Sequence, residues 1–257
     1  MLIAVCLVLG LAVGSFLNVV VRRVPAEESV VRPGSHCPAC TAPIPARDNV
    51  PVLSWLLLRG RARCCGAAIP VRYPLVEAGT AAAFAAVAAW LGASWALPAY
   101  LVLAAASIAL ALIDLDTFRL PFVIVVPTFA AGVVLLGLAS VLGDAPAAAG
   151  RAVLGAAGLW LLYRVLHAIN PRGMGYGDVR LAGVVGLYLA WLGWDRFAVG
   201  AFLGFLVGGL FGVLLIVAGR GGLKTQIPYG PYMLAGAWLA VAVGPGIATW
   251  YLQMSGL

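Results

Sequence analysis

Two carboxylates stand in apolar surroundings. Asp114 closes the run LVLAAASIALALIDLD, and Asp178 opens another apolar run after GMGYG. An ionised group in or at the end of an apolar helix is costly and is usually functional. Two carboxylates brought close together repel, so the pair holds on to one proton. It then offers one acid and one base, which is what hydrolysis of a peptide bond by activated water requires. The same residues also read as helix-end caps, or as ion-pair partners of Arg119 and Arg180. Asp116 rivals Asp114, but two residues on it faces another side of the helix or lies beyond it. Glu77, after RYPLV, is either a helix-start carboxylate favoured by the dipole or a group that helps position substrate. The two histidines, His36 and His167, form no serine or cysteine charge relay, and His36 sits among cysteines.

Four of the five cysteines fall in one polar stretch: Cys37 and Cys40 of CPAC, and Cys64 and Cys65 of RARCCG. Four thiolates can close a tetrahedral structural zinc site. The grouping fits a metal site in a reducing compartment better than a secreted disulfide framework. The second half is irregular, because its cysteines are adjacent. A pair of disulfides, or a site that has lost its metal, are the other readings. Cys6 reads as a packing residue in an apolar helix.

The elements that must position these residues follow from composition. Of 257 residues, 63% are hydrophobic and only 10% charged, with a mean hydropathy of +1.05. That is far from a soluble domain and describes an all-α, polytopic membrane helix bundle. Crossing a bilayer takes about 20 apolar residues, which places some eight transmembrane helices near 2–21, 75–92, 96–115, 121–142, 150–168, 179–193, 197–218 and 230–252. Eight arginines crowd residues 22–74, and Arg119, Arg172, Arg220 and Lys224 fall in alternate loops. Arg151 and Arg196, with Asp144 and Asp195, are expected in the opposite, outer loops. Positive charge marks the cytoplasmic side, so both termini are expected outside and the cysteine-bearing insert inside the cell. The net charge of +7 is thereby a topology signal and not a nucleic-acid footprint. Three domains are expected: a first transmembrane helix (1–23), a cytoplasmic zinc-type insert (24–74) and a membrane-embedded core (75–257). Glu27, Glu28 and Asp48 of the insert read as solvated surface. An insert this small needs a metal or disulfides to hold a fold.

The segments GLAVGSFLNVVVRRVP, CPAC, DNVPVLSWLLLRGR, RYPLVEAGT, LIDLDTFRLP, GMGYGDVRLAG and IPYGPYMLAGAWLA together resemble the type IV prepilin peptidases, which are polytopic aspartic proteases. The resemblance runs in order over nearly the whole chain. It implies one catalytic aspartate seven residues before a proline, here Asp114 before Pro121, which favours Asp114 over Asp116. It implies a second at the end of a Gly-x-Gly-Asp motif, here Gly175, Tyr176, Gly177 and Asp178. It implies cleavage of a basic leader from type IV prepilins or type II secretion pseudopilins at the cytoplasmic face of the inner membrane. In many members an S-adenosylmethionine-dependent N-methylation follows, associated with the cysteine-bearing insert. Two departures stand out. The second cysteine pair of the family falls at 62 and 65, where this chain has Ala62. An aspartate common after the proline is here Phe122. On this reading Gly173, Gly175 and Gly177 keep side chains away from the acid, so that an extended substrate can approach it. The competing class is a transporter or channel with carboxylates as a cation site. Its acids would be expected nearer the bilayer midplane. A cysteine-centred metalloprotease lacks the expected H-E-x-x-H.

Overall fold

The computed structural model describes residues 1–171, 173–219, 222 and 227–255. Its regular elements are helical: α1 (Leu2–Arg23), α2 (Leu53–Leu57), α3 (Arg72–Leu91), α4 (Leu97–Thr117), α5 (Phe122–Leu142), α6 (Pro146–Ile169), α7 (Tyr176–Leu192), α8 (Trp194–Val217) and α9 (Gly230–Met254), with a 3₁₀ turn at Ala46–Asp48. Among the described residues, seven of these helices are long and apolar enough to cross a membrane. The eighth expected span, α7, has 17 residues, about 25 Å at 1.5 Å per residue, against a hydrocarbon core of about 30 Å. The expected bounds are otherwise met within a few residues. The largest shift is at α6, which starts on Pro146 because proline suits the first helical position.

The chain forms two units, Met1–Leu97 and Pro98–Leu257. In the first, α1 packs along α3. Gly10 and Gly14 make this possible, since a Cβ on Gly10 would lie 2.6 Å from Ala81 Cα and one on Gly14 would lie 2.7 Å from Glu77 Cα. Glycines four apart let two backbones approach in lipid, where dispersion and hydrogen bonds drive association. Asn18 Nδ2 of α1 donates to the Tyr73 carbonyl at 3.2 Å. The buried Arg23 donates to the carbonyls of Ser29, Pro33 and Gly34 and so ties the polar insert to the end of α1.

In the second unit α7 is the central helix. It packs against α5, α6, α8 and α9, and 12 of its 17 residues are buried. A helix enclosed by protein on all sides has no need to match the bilayer thickness itself. Side-chain hydrogen bonds fix its neighbours. Tyr100 of α4 donates to the Tyr188 carbonyl, Trp191 to Ser140 of α5, and Trp238 of α9 to Ser107 of α4. The outer helices turn leucine, valine and phenylalanine outward, as in Phe202, Leu206 and Leu210 of α8.

Three residues expected in outer loops lie in helices instead. Arg151 is the sixth residue of α6, and it donates to the carbonyls of Ala190 and Trp191 at the end of α7. Those carbonyls lack intrahelical donors, and a cation there is favoured. Asp195 and Arg196 are in the first turn of α8. Arg172, Arg220 and Lys224, counted toward the inner face, lie outside the described residues.

The α1–α3 contact is directly testable. Gly14→Leu would drive a side chain into the backbone of α3 and cost about 1–3 kcal/mol. Thermal unfolding of the detergent-solubilised protein should show a lower midpoint. Gly137→Ala, with nothing within 4 Å of its Cβ position, should leave the midpoint unchanged.

Candidate active site and thiol cluster

Asp114 lies three residues before the end of α4 and is 3% exposed; Asp178 is the third residue of α7 and is 8% exposed. Asp116 is exposed. Each buried acid is met by the backbone amide of a glycine at a helix start. The Gly175 amide, at the N-cap of α7, donates to Asp178 Oδ2 at 3.1 Å. The Gly230 amide, at the first residue of α9, donates to Asp114 Oδ2 at 3.0 Å. These amides have no partner within their own helix, and the positive end of the helix dipole favours a carboxylate. One carboxylate oxygen on each acid is thus occupied, and among the described residues no hydrogen bond reaches the other.

The turn between α4 and α5 brings the two acids to one place. Phe118, at φ 54°, breaks α4 just past Thr117, and Pro121 then opens α5. Between them, Leu120 projects against the starts of α7 and α9. A Cβ on Gly177 would lie 2.9 Å from Leu120 Cβ, and one on Gly230 would lie 2.9 Å from Leu120 Cδ2. The Gly230 position is also only 2.8 Å from Asp114 Oδ2. Glycine at both positions lets α7 and α9 begin against the same leucine. Gly177, next to Asp178, and Gly230, whose amide holds Asp114, thus meet at one leucine.

Neither acid makes an ion pair among the described residues. The expected alternative partner Arg180 stacks instead, with its guanidinium carbon 4.8 Å from the Phe122 ring centroid and 4.7 Å from that of Tyr176. Such a cation–π clamp joins the first turns of α5 and α7. It also gives Phe122, the residue that departs from the family pattern, a contact of its own. Tyr176 therefore packs in the site's wall, and its ring also meets His167 edge to face at 5.6 Å. His167 Nδ1 donates to the Met174 carbonyl at 2.8 Å and holds the glycine loop to the end of α6.

Sequence reasoning assigned no role to His167, Tyr163, Tyr229 or Gly230. Tyr163 of α6 and Tyr229 share a hydroxyl hydrogen bond of 2.9 Å, and Phe205 of α8 packs on both rings. This cluster fixes the residue just before the Gly230 amide. The available signal was the Gly-Pro pair of IPYGPYM, because proline near a helix start advertises free amides.

The cysteines meet in the first unit. The sulfurs of Cys37, Cys40, Cys64 and Cys65 all lie within 4.8 Å of one another, and no disulfide joins them. Two turns of the same build carry them. Thr41 N–H donates to the Cys37 carbonyl and Cys37 N–H to that of Ala42; Gly66 N–H donates to the Ala62 carbonyl and Ala62 N–H to that of Ala67. Thr41 and Gly66 both have positive φ, 59° and 71°. In this correspondence Cys40 matches Cys65, and Cys37 matches Ala62. The fourth thiol comes from Cys64, in the middle of the second turn where the first has Ala39. Amides of Ala39 and Cys40 hold the Cys37 thiol down to about 6. A hydrogen bond with Cys40 pushes Cys64 up to about 12. His36 is turned away, with Nδ1 bonded to the Gly34 carbonyl.

Two more residues of the insert differ from expectation. Asp48 is not solvated surface. Its side chain is 7% exposed, and it takes both Nε and Nη2 of Arg63, which keeps its carboxyl below the usual carboxylate range. Glu77, buried on α3, accepts the Val52 amide at 2.6 Å. Val52 sits at φ 60°, ψ −49° in a γ-turn closed by Leu53 N–H to the Pro51 carbonyl. That conformation costs about 1–3 kcal/mol for a β-branched residue and persists where its surroundings impose it.

Residues 101–217 match the family model described as the type IV leader peptidase family, and residues 8–91 match that of the bacterial peptidase A24 N-terminal domain. Among curated relatives, a prepilin leader peptidase/N-methyltransferase of Aeromonas salmonicida (strain A449) is 38% identical, over 95% of this chain and 91% of its own. Proteins of the same description from Pseudomonas aeruginosa and Myxococcus xanthus are 36% and 41% identical, covering 97% and 85% of this chain and 93% and 65% of their own. No solved structure matches the chain.

The Glu77 contact predicts a local effect. Glu77→Ala leaves the Val52 amide without its carboxylate acceptor, a loss of about 1.5–3 kcal/mol for a charge-assisted bond. Hydrogen exchange at Val52 should accelerate by about tenfold or more, while amides in the middle of α3 keep their protection.

Proposed function

Because the chain belongs to the type IV leader peptidase family, we propose that it removes the leader peptide of type IV prepilins or pseudopilins, with Asp114 and Asp178 as its catalytic pair. It is a multi-pass protein of the inner membrane and an aspartic endopeptidase. The observation that carries the assignment is that two buried carboxylates are each anchored through one oxygen to a helix-start glycine amide, and that Gly177, beside Asp178, and Gly230, which holds Asp114, both pack against Leu120.

The pair holds one proton between its free oxygens. The ionised member takes a proton from a water molecule, whose oxygen attacks the scissile carbonyl carbon. The protonated member gives its proton to the carbonyl oxygen. The tetrahedral intermediate then collapses: the C–N bond breaks, the leaving nitrogen takes a proton from the acid that received it from water, and one hydroxyl of the intermediate returns its proton to the other acid as the carbonyl re-forms. The amides of Gly175 and Gly230 hold both carboxylates in place throughout, so little reorganisation is needed as charge moves. A Cβ on Gly175 would lie 3.1 Å from Asp178 Oδ2, so glycine there keeps that side of the acid clear for an extended backbone, while the space at Gly177 is taken by Leu120. The transporter reading fits less well, because both acids sit within three residues of helix ends. The arginines of 22–74 support an insert on the cytoplasmic side and termini outside.

The second activity, N-methylation of the new terminus, takes its methyl group from S-adenosylmethionine. The apolar cavity lined by Leu103, Ser107, Tyr188 and Trp238 measures about 10 Å³, room for one water, and does not fit that molecule. The cleavage steps do not involve it. The thiol cluster does fit zinc. Cys40 and Cys64 approach to 3.3 Å, Cys37 and Cys65 to 3.7 Å, and Cys64 and Cys65 to 3.9 Å, on either side of the edge of about 3.8 Å set by tetrahedral Zn–S bonds of about 2.3 Å. Cys37, Cys40, Cys64 and Cys65 would hold the ion in a closed, structural site. It would supply folding free energy to an insert with little apolar core.

Two experiments follow. Asp114→Asn and Asp178→Asn should each lower cleavage of a co-expressed prepilin by about 10²–10⁴-fold, read by mass spectrometry of the new N-terminus, with normal membrane insertion. Asp116→Asn should retain most activity; the reverse pattern would assign the first acid to Asp116. For the metal, protein purified without chelator should carry about one zinc per chain. Cys64→Ser should weaken binding measured by chelator competition, and adding Ala62→Cys should restore it at the matching position of the second turn. A folded wild-type insert without metal would reject zinc.

A further inference from the structure

The first unit exposes an apolar helix face at the level where its transmembrane helices end. Leu53, Leu56 and Leu57 of α2 are 51%, 59% and 73% exposed. Their spacing of three and four puts them on one helix face. The other side of α2 is turned inward, with Ser54 buried and Trp55 Nε1 donating to the Ile69 carbonyl at 3.0 Å. Arg59 and Arg61 follow the leucines and are exposed. Residues 49–72 hold four arginines (Arg59, Arg61, Arg63 and Arg72) and no acid.

Three contacts set the level of α2. Val52, just before it, is bonded to Glu77, the sixth residue of α3 and about 7.5 Å inside that helix at 1.5 Å per residue. Trp55 bonds Ile69, three residues ahead of α3. Asn18, five residues before the end of α1, bonds Tyr73 at the start of α3. α2 is therefore held beside the ends of two membrane-crossing helices and not out in solvent. Val71 and Leu75, 55% and 64% exposed, carry the apolar surface from the insert into the lipid-facing side of α3.

We propose that α2 is an interfacial helix. Leu53, Leu56 and Leu57 enter the headgroup–acyl boundary of the leaflet that α1 and α3 cross, and Arg59 and Arg61 engage the phosphates of its anionic lipids. Leucines on one face and arginines on the rim are the chemistry of helices that lie in the membrane plane, and each arginine near an anionic surface adds attraction. Continuity with the exposed apolar surface of α3 and the exposed positive charge of Arg59 and Arg61 favour a bilayer over a second protein surface. The inference is independent of the peptidase assignment.

The test uses the full chain in nanodiscs, with a trifluoromethyl-phenylalanine replacing Leu57 or, as control, Glu28, which is exposed in the insert. Fluorine NMR compares relaxation by a nitroxide on the lipid acyl chain with relaxation by an aqueous gadolinium chelate. The Leu57 probe should respond at least about threefold more to the lipid nitroxide than to gadolinium, and the Glu28 probe the reverse, for a face buried about 5–10 Å into the interface. Exchanging anionic for zwitterionic lipid, or Arg59→Gln with Arg61→Gln, should reduce the lipid response of Leu57. A Leu57 probe as open to gadolinium as Glu28 overturns the proposal. So does one shielded from both reagents, which means a protein surface covers it. A lipid response indifferent to lipid charge and to both arginines overturns the phosphate contact.

Discussion

A carboxylate enclosed by apolar helices must be met by hydrogen-bond donors, and a bundle of this composition has few to offer. Side chains that could donate would themselves need solvation. The remaining donors are the first backbone amides of helices, which have no partner within the helix. Both Asp114 and Asp178 are served this way. Much of the second unit follows from that arrangement. α7 and α9 must start at the depth of the acids and α4 must end there, and the loops between must let three helix ends converge. Glycine at 177 and 230 and left-handed Phe118 answer those demands. The hydroxyl pair of Tyr163 and Tyr229 and the His167 contact to Met174 stiffen the same convergence from behind.

The first unit meets a different shortage. Its insert has almost no buried apolar side chains, and its order rests on polar ties to neighbouring helices. Arg23 collects three carbonyls, Glu77 fixes a strained turn, and Asp48 bridges to the second cysteine turn through Arg63. Four sulfurs gathered at metal-like spacing complete a module that a hydrophobic core of this size could not stabilise alone.

How much of this was legible in the sequence varies with the physics involved. Span positions were plain, because lipid imposes a length and a composition on every crossing helix. The acids were legible for the same reason, since charge is conspicuous against apolar sequence. α7 was placed but its shortness was not, because its burial depends on neighbours from elsewhere in the chain. Loop charges were misplaced at Arg151, Asp195 and Arg196, since hydropathy alone does not separate a polar first turn from a loop. Asp48 looked like any surface acid; its partner is 15 residues away, and only the fold brings them together. The cysteines were grouped correctly, but the shift of the fourth thiol from the position of Ala62 to Cys64 depends on two backbone turns that share a hydrogen-bond pattern. Gly230 was hidden because its contribution is an amide, which every residue but proline carries.

Leu120 gives the site a property that its polar residues cannot. It stands against the glycines that flank both acids, so the gap between α7 and α9 is set by the width of a hydrocarbon side chain. Such a spacer has no proton to lose and no counterion to exchange. The opening it keeps is therefore a fixed gauge, the same whichever acid carries the proton and whatever the salt outside. The spacing of the two helix starts whose amides hold the carboxylates is decided by a residue without a polar side chain.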